Sequence, residues 1–156
     1  MAHSIDFVVE IEPEGVDLAA LEALAGRVLE GEGVADGVAL AVLTTDDETL
    51  RDLNSRFLGI DAPTDVLAFP EAAEAPLGEG EAPSLGEIAI SVPTAVRQAL
   101  ELNHPLADEL AHLLTHGILH LCGYDHEAGG EEAARMRARE ERYLGDIRGH
   151  DSGGVG

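Results

Sequence analysis

The chain has 156 residues, 45% of them apolar, 26% charged and 3% aromatic, with no Trp and a formal net charge of −22. That length suits one domain, able to bury roughly two thirds of its unfolded surface around an aliphatic core, and leaves no room for a second. So negative a chain argues against broad, nonspecific binding to phosphate backbones, and no uncharged stretch approaches the roughly 20 apolar residues that span a bilayer.

Met1 to Asp6 lacks the basic-then-apolar pattern of a secretory leader. The single cysteine, Cys122, has no internal disulfide partner, as expected of a cytoplasmic protein. Ser4 to Glu12 is rich in β-branched and apolar residues and predicts a first strand. In Val16 to Glu30, the residues Leu18, Leu21, Leu24, Val28 and Leu29 recur with helical spacing, and Gly31 and Gly33 end the helix. Val38 to Leu43 is a short apolar run of the kind found in buried strands. Thr45 with Glu48 has the form of a capping box, which predicts a helix over Asp46 to Arg56 with Leu50, Leu53 and Phe57 inward. Ile60 to Thr64 contains Pro63 and reads as a loop. A third strand follows over Asp65 to Phe69, closed by Pro70.

Glu71 to Ser84, rich in Glu, Ala, Pro and Gly, predicts a surface loop. Leu85 to Val92 predicts the fourth strand. Pro93 to Asn103 is helical by pattern, Pro105 opens a further helix carrying His116 and His120, and Glu131 to Leu144 makes the last one. The order β-α-β-α-β-β-α-α-α does not alternate strictly, so an α+β fold is expected, one mixed sheet with helices packed against it. Residues 1–145 form that single domain, and 146–156, poor in apolar residues, are a disordered tail.

The stretch HGILHLCGYDH, His116 to His126, is written like a metal site. His116 and His120 are four apart, so on a helix their imidazoles leave one face about 5–6 Å apart at Cβ. Gly123 can end the helix at positive φ and let His126 approach from another direction. Three imidazoles with one open position make a catalytic rather than a structural zinc site. The spacing matches the peptidase pattern HExxHxxGxxH at His116, His120, Gly123 and His126, but the general-base glutamate falls at Gly117. Without that carboxylate, peptide hydrolysis is disfavoured. What remains is a metal-bound water on His116, His120 and His126, able to attack a phosphodiester. Asp125, beside a ligand, is positioned to orient an imidazole or accept a proton. His112 lies one further step along the same helical row, but such steps drift by about 40° each, so it reads as a supporting or exposed residue. Tyr124 reads as core or pocket wall, and Cys122 as buried and inert.

HGILHLCGYDH resembles the HGxLHLxGYDH signature of the YbeY family, bacterial single-strand-specific endoribonucleases of ribosomal RNA maturation. The similarity extends to LNSRFLGIDAPTDVLAFP (Leu53 to Pro70), to LGEIAISV (Leu85 to Val92), and to Met136 and Glu140 of the last helix. The resemblance implies a small zincin-like α+β domain with a four-stranded sheet. It also implies one zinc ion, or another divalent metal, held by His116, His120 and His126, and cleavage of 16S ribosomal RNA in maturation and ribosome quality control. The implied partners are ribosomal RNA and the small ribosomal subunit, with neither DNA nor a membrane.

By the same resemblance Thr64 and Asp65, with Pro63, line the cleft near the metal. Where many members carry Arg before GIDAPTDV this chain has Leu58, which leaves Arg56 as the substitute phosphate contact. Ala68 replaces the Ser of the family's third strand. Four of the nine cations, Arg135, Arg137, Arg139 and Arg142, fall in the last helix, where Glu131 and Arg135 form an i,i+4 pair. Two other readings stand beside the nuclease. One is a metalloprotease with an unusual base; the other is a ribosome-assembly factor whose zinc supports binding without turnover.

Overall fold

The structure is a computed structural model, and it describes residues 3–70, 83–124 and 130–145. Four strands, β1 (Ser4–Val9), β2 (Ala39–Thr45), β3 (Val66–Pro70) and β4 (Ser84–Ser91), form one sheet in the order β1-β2-β4-β3. β1, β2 and β4 run parallel, and β3 lies antiparallel to β4 at the edge. Among the described residues the helices are α1 (Leu18–Gly31), α2 (Asp47–Leu58), α3 (Val92–Leu102), α4 (Leu106–Leu121) and α5 (Gly130–Leu144). This is the expected α+β domain with a mixed four-stranded sheet, and the element order is the one read from the sequence. The predicted 71–84 loop, up to residue 82, and the 146–156 tail lie outside the described residues.

The sheet has two different faces because side chains alternate along each strand. Leu40, Val42, Ile88 and Ile90 point to one side and join Leu21, Leu24, Val28 and Leu29 of α1 and Leu110, Leu114 and Ile118 of α4 in the main core. On the other side Ala89 and Leu67 meet Leu50 of α2 in a smaller cluster. α1 follows the i, i+3, i+4, i+7 rule and starts on Asp17, whose side chain accepts the Ala19 N–H at 3.0 Å. α4 buries residues around most of its circumference, as befits a helix packed between the sheet and α1, α3 and α5. It lies so close to β4 that a Cβ at Gly117 would sit 3.1–3.3 Å from Ile88 side-chain atoms.

Local chemistry shifts some boundaries. The N-cap of α2 is Asp46, which accepts the Thr49 N–H at 2.8 Å, whereas Thr45 ends β2 and gives its hydroxyl to Glu10. Aspartate is at least as good a cap as threonine, and the strand needed Thr45. Phe57, expected inward, is 59% exposed. The helix runs past Arg56, and Phe57 in its last turn stands against Phe69 of β3, 5.3 Å between ring centroids, at an open hollow, so only Leu50 and Asn54 are fully buried on α2. Gly59 then stops it with φ 73°. In α5, Arg135 pairs with Glu132 at 3.2 Å, one step closer than the expected Glu131.

Candidate metal centre

α4 carries His112, His116 and His120 at successive four-residue steps, and all three line one cleft of about 450 Å³. The facing wall is the edge strand β3 with the segment leading into it, which brings Thr64, Asp65 and Leu58 to the same cleft. That segment is tied down from within. The buried Asn54 side chain donates to the Ala62 carbonyl at 2.9 Å, Gln98 donates to the Asp65 carboxylate at 3.2 Å, and the Asp65 carbonyl accepts the Ser91 N–H at 2.9 Å. Arg56 lies outside this cleft: it pairs with Asp52 at 2.9 Å and lines an adjoining hollow on the other face of the sheet together with Phe57 and Phe69. Leu58 borders both cavities. His126 and Asp125 lie outside the described residues.

Helix α5 closes the back of the histidine row. Glu140 Oε2 lies 2.6 Å from His116 Nδ1, and Oε1 lies 3.7 Å from His112 Nε2. Burial opposes ionisation of Glu140, but hydrogen bonds and charge from His112 and His116 outweigh it and bring its carboxyl down to about 2. An ionised carboxylate can only accept, so Nδ1 of His116 must carry the proton, and in the neutral ring the lone pair then sits on Nε2. A carboxylate on one imidazole nitrogen with the other turned to a metal is the usual way a histidine ligand is oriented.

Among the described residues, one nitrogen each of His112 and His116 and an oxygen of Glu140 lie within 4.8 Å of one another, a group able to hold a metal ion. His112, expected in a supporting or exposed place, is half-buried beside Glu140. Spacing does not predict the contact between Glu140 and His116. The family resemblance names Glu140 without a partner, and its one local signal is the distance from Met136: the two lie one helical turn apart, and Met136 is fully buried in the core, so the same face of α5 turns inward. Cys122, expected to be buried, is only half-buried, and burial and the negative charge of Glu32 push its thiol up to about 11.

The sequence model of the family described as Endoribonuclease YbeY matches residues 9–148. A protein of Chloroflexus aurantiacus named Endoribonuclease YbeY is 42% identical over 144 residues, which are 88% of this chain and 94% of that one. A protein of the same name from Roseiflexus sp. (strain RS-1) is 48% identical over 132 residues, 83% of this chain and 82% of its own. The solution structure of TM1509 from Thermotoga maritima superimposes with a TM-score of 0.60 at 29% identity, covering 95% of this chain and 90% of that chain. A match of this extent means that the chain belongs to the YbeY family.

Proposed function

We propose that this protein is a metal-dependent endoribonuclease, hydrolysing phosphodiester bonds of single-stranded RNA in the maturation of 16S ribosomal RNA and in ribosome quality control. The observation that carries the reading is the His116 Nδ1 to Glu140 contact, at the floor of a cleft that also receives His120, Thr64 and Asp65. The relatives named Endoribonuclease YbeY support the reaction class.

The donor set fits one divalent ion of the zinc type. Imidazole nitrogens suit zinc, and His116 is already fixed by a carboxylate on its far nitrogen. His116, His120 and His126 would hold the ion, which supplies a Lewis acid for the phosphoryl oxygens and lowers the pKa of water. Glu140 keeps the proton on Nδ1 of His116 and so keeps its other nitrogen as the donor. Asp125, next to His126 in the chain, takes the part of proton acceptor. Thr64 and Asp65 bind substrate along the cleft wall, with the Thr64 hydroxyl as a donor to a phosphate or ribose oxygen. Arg56 meets the strand further out, beyond Leu58. Gly117 supports nuclease over peptidase, because it stands where the peptidase pattern has its general-base glutamate, and even a Cβ there would lie 3.1–3.3 Å from the Ile88 side chain.

The chain works in the cytoplasm on small-subunit ribosomal RNA. Among the described residues no helix is long and apolar enough to cross a membrane. The test is cleavage of single-stranded and structured RNA by wild type and by His116→Ala and His120→Ala, before and after chelation and zinc readdition, with metal content measured on the same samples. Loss of both zinc and cleavage in the variants supports the proposal. Wild-type cleavage by a metal-free His116→Ala sample would overturn it, and chelator-insensitive binding to small-subunit particles without turnover would favour an assembly factor.

A further inference from the structure

On the face of the sheet that carries α2, a hollow of about 740 Å³ stands open. Ala41, Leu43 and Ala89 of the central strands line it together with Leu53, Phe57 and Phe69, and Arg56 and Glu87 are its charged side chains. The surface is thus mostly apolar, as in pockets that receive flat organic groups. Phe57 is tilted at 57° against Phe69, 5.3 Å between centroids, which steadies the ring and leaves the residue 59% exposed. The Arg56 guanidinium stands 5.5 Å from the centre of the same ring.

Single exposed apolar side chains are ordinary, but a continuous run of them marks a surface that something covers. Val8, Phe57 and Leu58 border the hollow, Leu58 and Ile60 border the histidine cleft, and each of the four is more than half exposed. Ala68 of β3 lines both cavities as well. An apolar track therefore leads from the aromatic pair, past the end of α2, to the cleft that holds His116. The net charge of −22 against nine cations gives the chain little general attraction for phosphates. Affinity for a polynucleotide then has to draw on a contribution that net charge hardly touches. Stacking of bases on aromatic rings is one, and every base has a face to offer. Arg56 gives one N–H to Asp52 and keeps the other donors of its fork for a phosphate beside a stacked base.

We propose that Phe57, backed by Phe69, is a stacking platform for an unpaired base of the RNA substrate, one step along the strand from the cleft. The inference rests on the reading of that cleft as a ribonuclease site. It also gives the choice of single strands a source in this surface, because a base paired within a helix cannot lie on Phe57 until it leaves its partner and neighbours.

Cleavage of single-stranded oligoadenylate by the zinc-loaded full chain tests it, with KM and kcat measured over a range of salt concentrations for wild type, Phe57→Leu and Phe57→Trp. Sedimentation of each protein is recorded alongside. Phe57→Leu keeps apolar bulk against Phe69 and removes the flat ring. Its KM is expected to rise about 5- to 100-fold, with kcat unchanged, since the contact is made equally before and during the reaction. The salt dependence of KM should stay as in wild type, because stacking releases no counterions. Phe57→Trp should bind as well as wild type or better. A wild-type KM in Phe57→Leu overturns the platform and leaves the ribonuclease reading standing. So does a Phe57→Trp protein as impaired as Phe57→Leu, or an altered salt dependence in Phe57→Leu. A wild-type dimer that Phe57→Leu dissociates assigns the hollow to a second copy of the chain and overturns the platform as well. Failure of the wild type to cleave any RNA overturns the ribonuclease reading and the platform together.

Discussion

His116 and Glu140, 24 residues apart in the chain, meet at 2.6 Å between Nδ1 and Oε2 and join α4 to α5 at the floor of the cleft. A contact of this kind orients the ring and fixes its tautomer, and its removal typically costs 10–100-fold in metal affinity. Glu140→Ala is therefore expected to bind zinc about 10–100-fold more weakly than wild type. Glu140→Gln should fall in between, because its amide oxygen still accepts from Nδ1–H. If Glu140 were instead a direct ligand with His112 and His116, Glu140→Gln would lose the metal and His120→Ala would keep it. Chelator competition on the three variants separates these outcomes.

A second tie, away from the histidine row, joins α2 to α3. Asp47, in the first turn of α2, accepts from the hydroxyls of Ser91 and Thr94 and from Arg97 at 3.0 Å, fastening α2 to the start of α3. The Ser91 and Thr94 bonds, against a smaller opposing effect of burial, hold the Asp47 carboxyl below its ordinary value. A depressed carboxylate contributes stability that is fully present above its unfolded pKa, about 3.9, and is lost as pH falls through the lower folded value. Asp47→Ala should thus destabilise the fold by about 1–2 kcal/mol at pH 7, since the hydroxyl of the fully buried Ser91 loses its acceptor. Denaturant titrations from pH 7 to pH 2.5 should show the gap between variant and wild type narrowing below about pH 4. A gap independent of pH would mean that the charge of Asp47 plays no part.

How far the sequence could be read depended on how local the signal was. The periodicity of Leu21, Leu24, Val28 and Leu29, the glycines at 31 and 33 and the four-residue spacing of His112, His116 and His120 are all contained within a few turns, and each helix they announce is present. The Asp46 cap was one residue away from the Thr45 that the pattern favoured, because Thr45 was already committed to β2 and to Glu10. Phe57 fits the inward stripe of α2 by spacing, yet it stands exposed at an open hollow against Phe69, and only the tertiary arrangement decides that. Contacts between distant parts of the chain were out of reach for the same reason. Glu140 meets His116, and Glu32 meets Tyr124, Arg139 and Tyr143 across 92 to 111 residues. No spacing rule connects such positions, whereas the family pattern that named Glu140 did so without saying what it touches.

Gly117 gives the last prediction, since it is where the chain departs from the peptidase pattern. The residue is buried in α4 against β4, and a Cβ there would stand 3.1, 3.2 and 3.3 Å from three atoms of the Ile88 side chain. Ile88 is itself fully buried in the sheet, so its branched side chain has little room to retreat. Gly117→Ala gains about 1 kcal/mol of helix propensity and loses about 1–3 kcal/mol to overpacking, a net change between neutral and roughly 2 kcal/mol destabilising. Gly117→Glu must in addition place a carboxylate at a buried backbone position, and a loss of about 3 kcal/mol or more is expected. Chemical unfolding of the two variants, together with a peptide-hydrolysis assay on zinc-loaded Gly117→Glu, checks both halves of the argument. A Gly117→Glu protein as stable as wild type that cleaves peptides would show that the missing glutamate alone separates this fold from a peptidase. The expected result is a destabilised protein without peptidase activity, because α4 at position 117 already stands too close to Ile88 to take a Cβ without displacing that side chain.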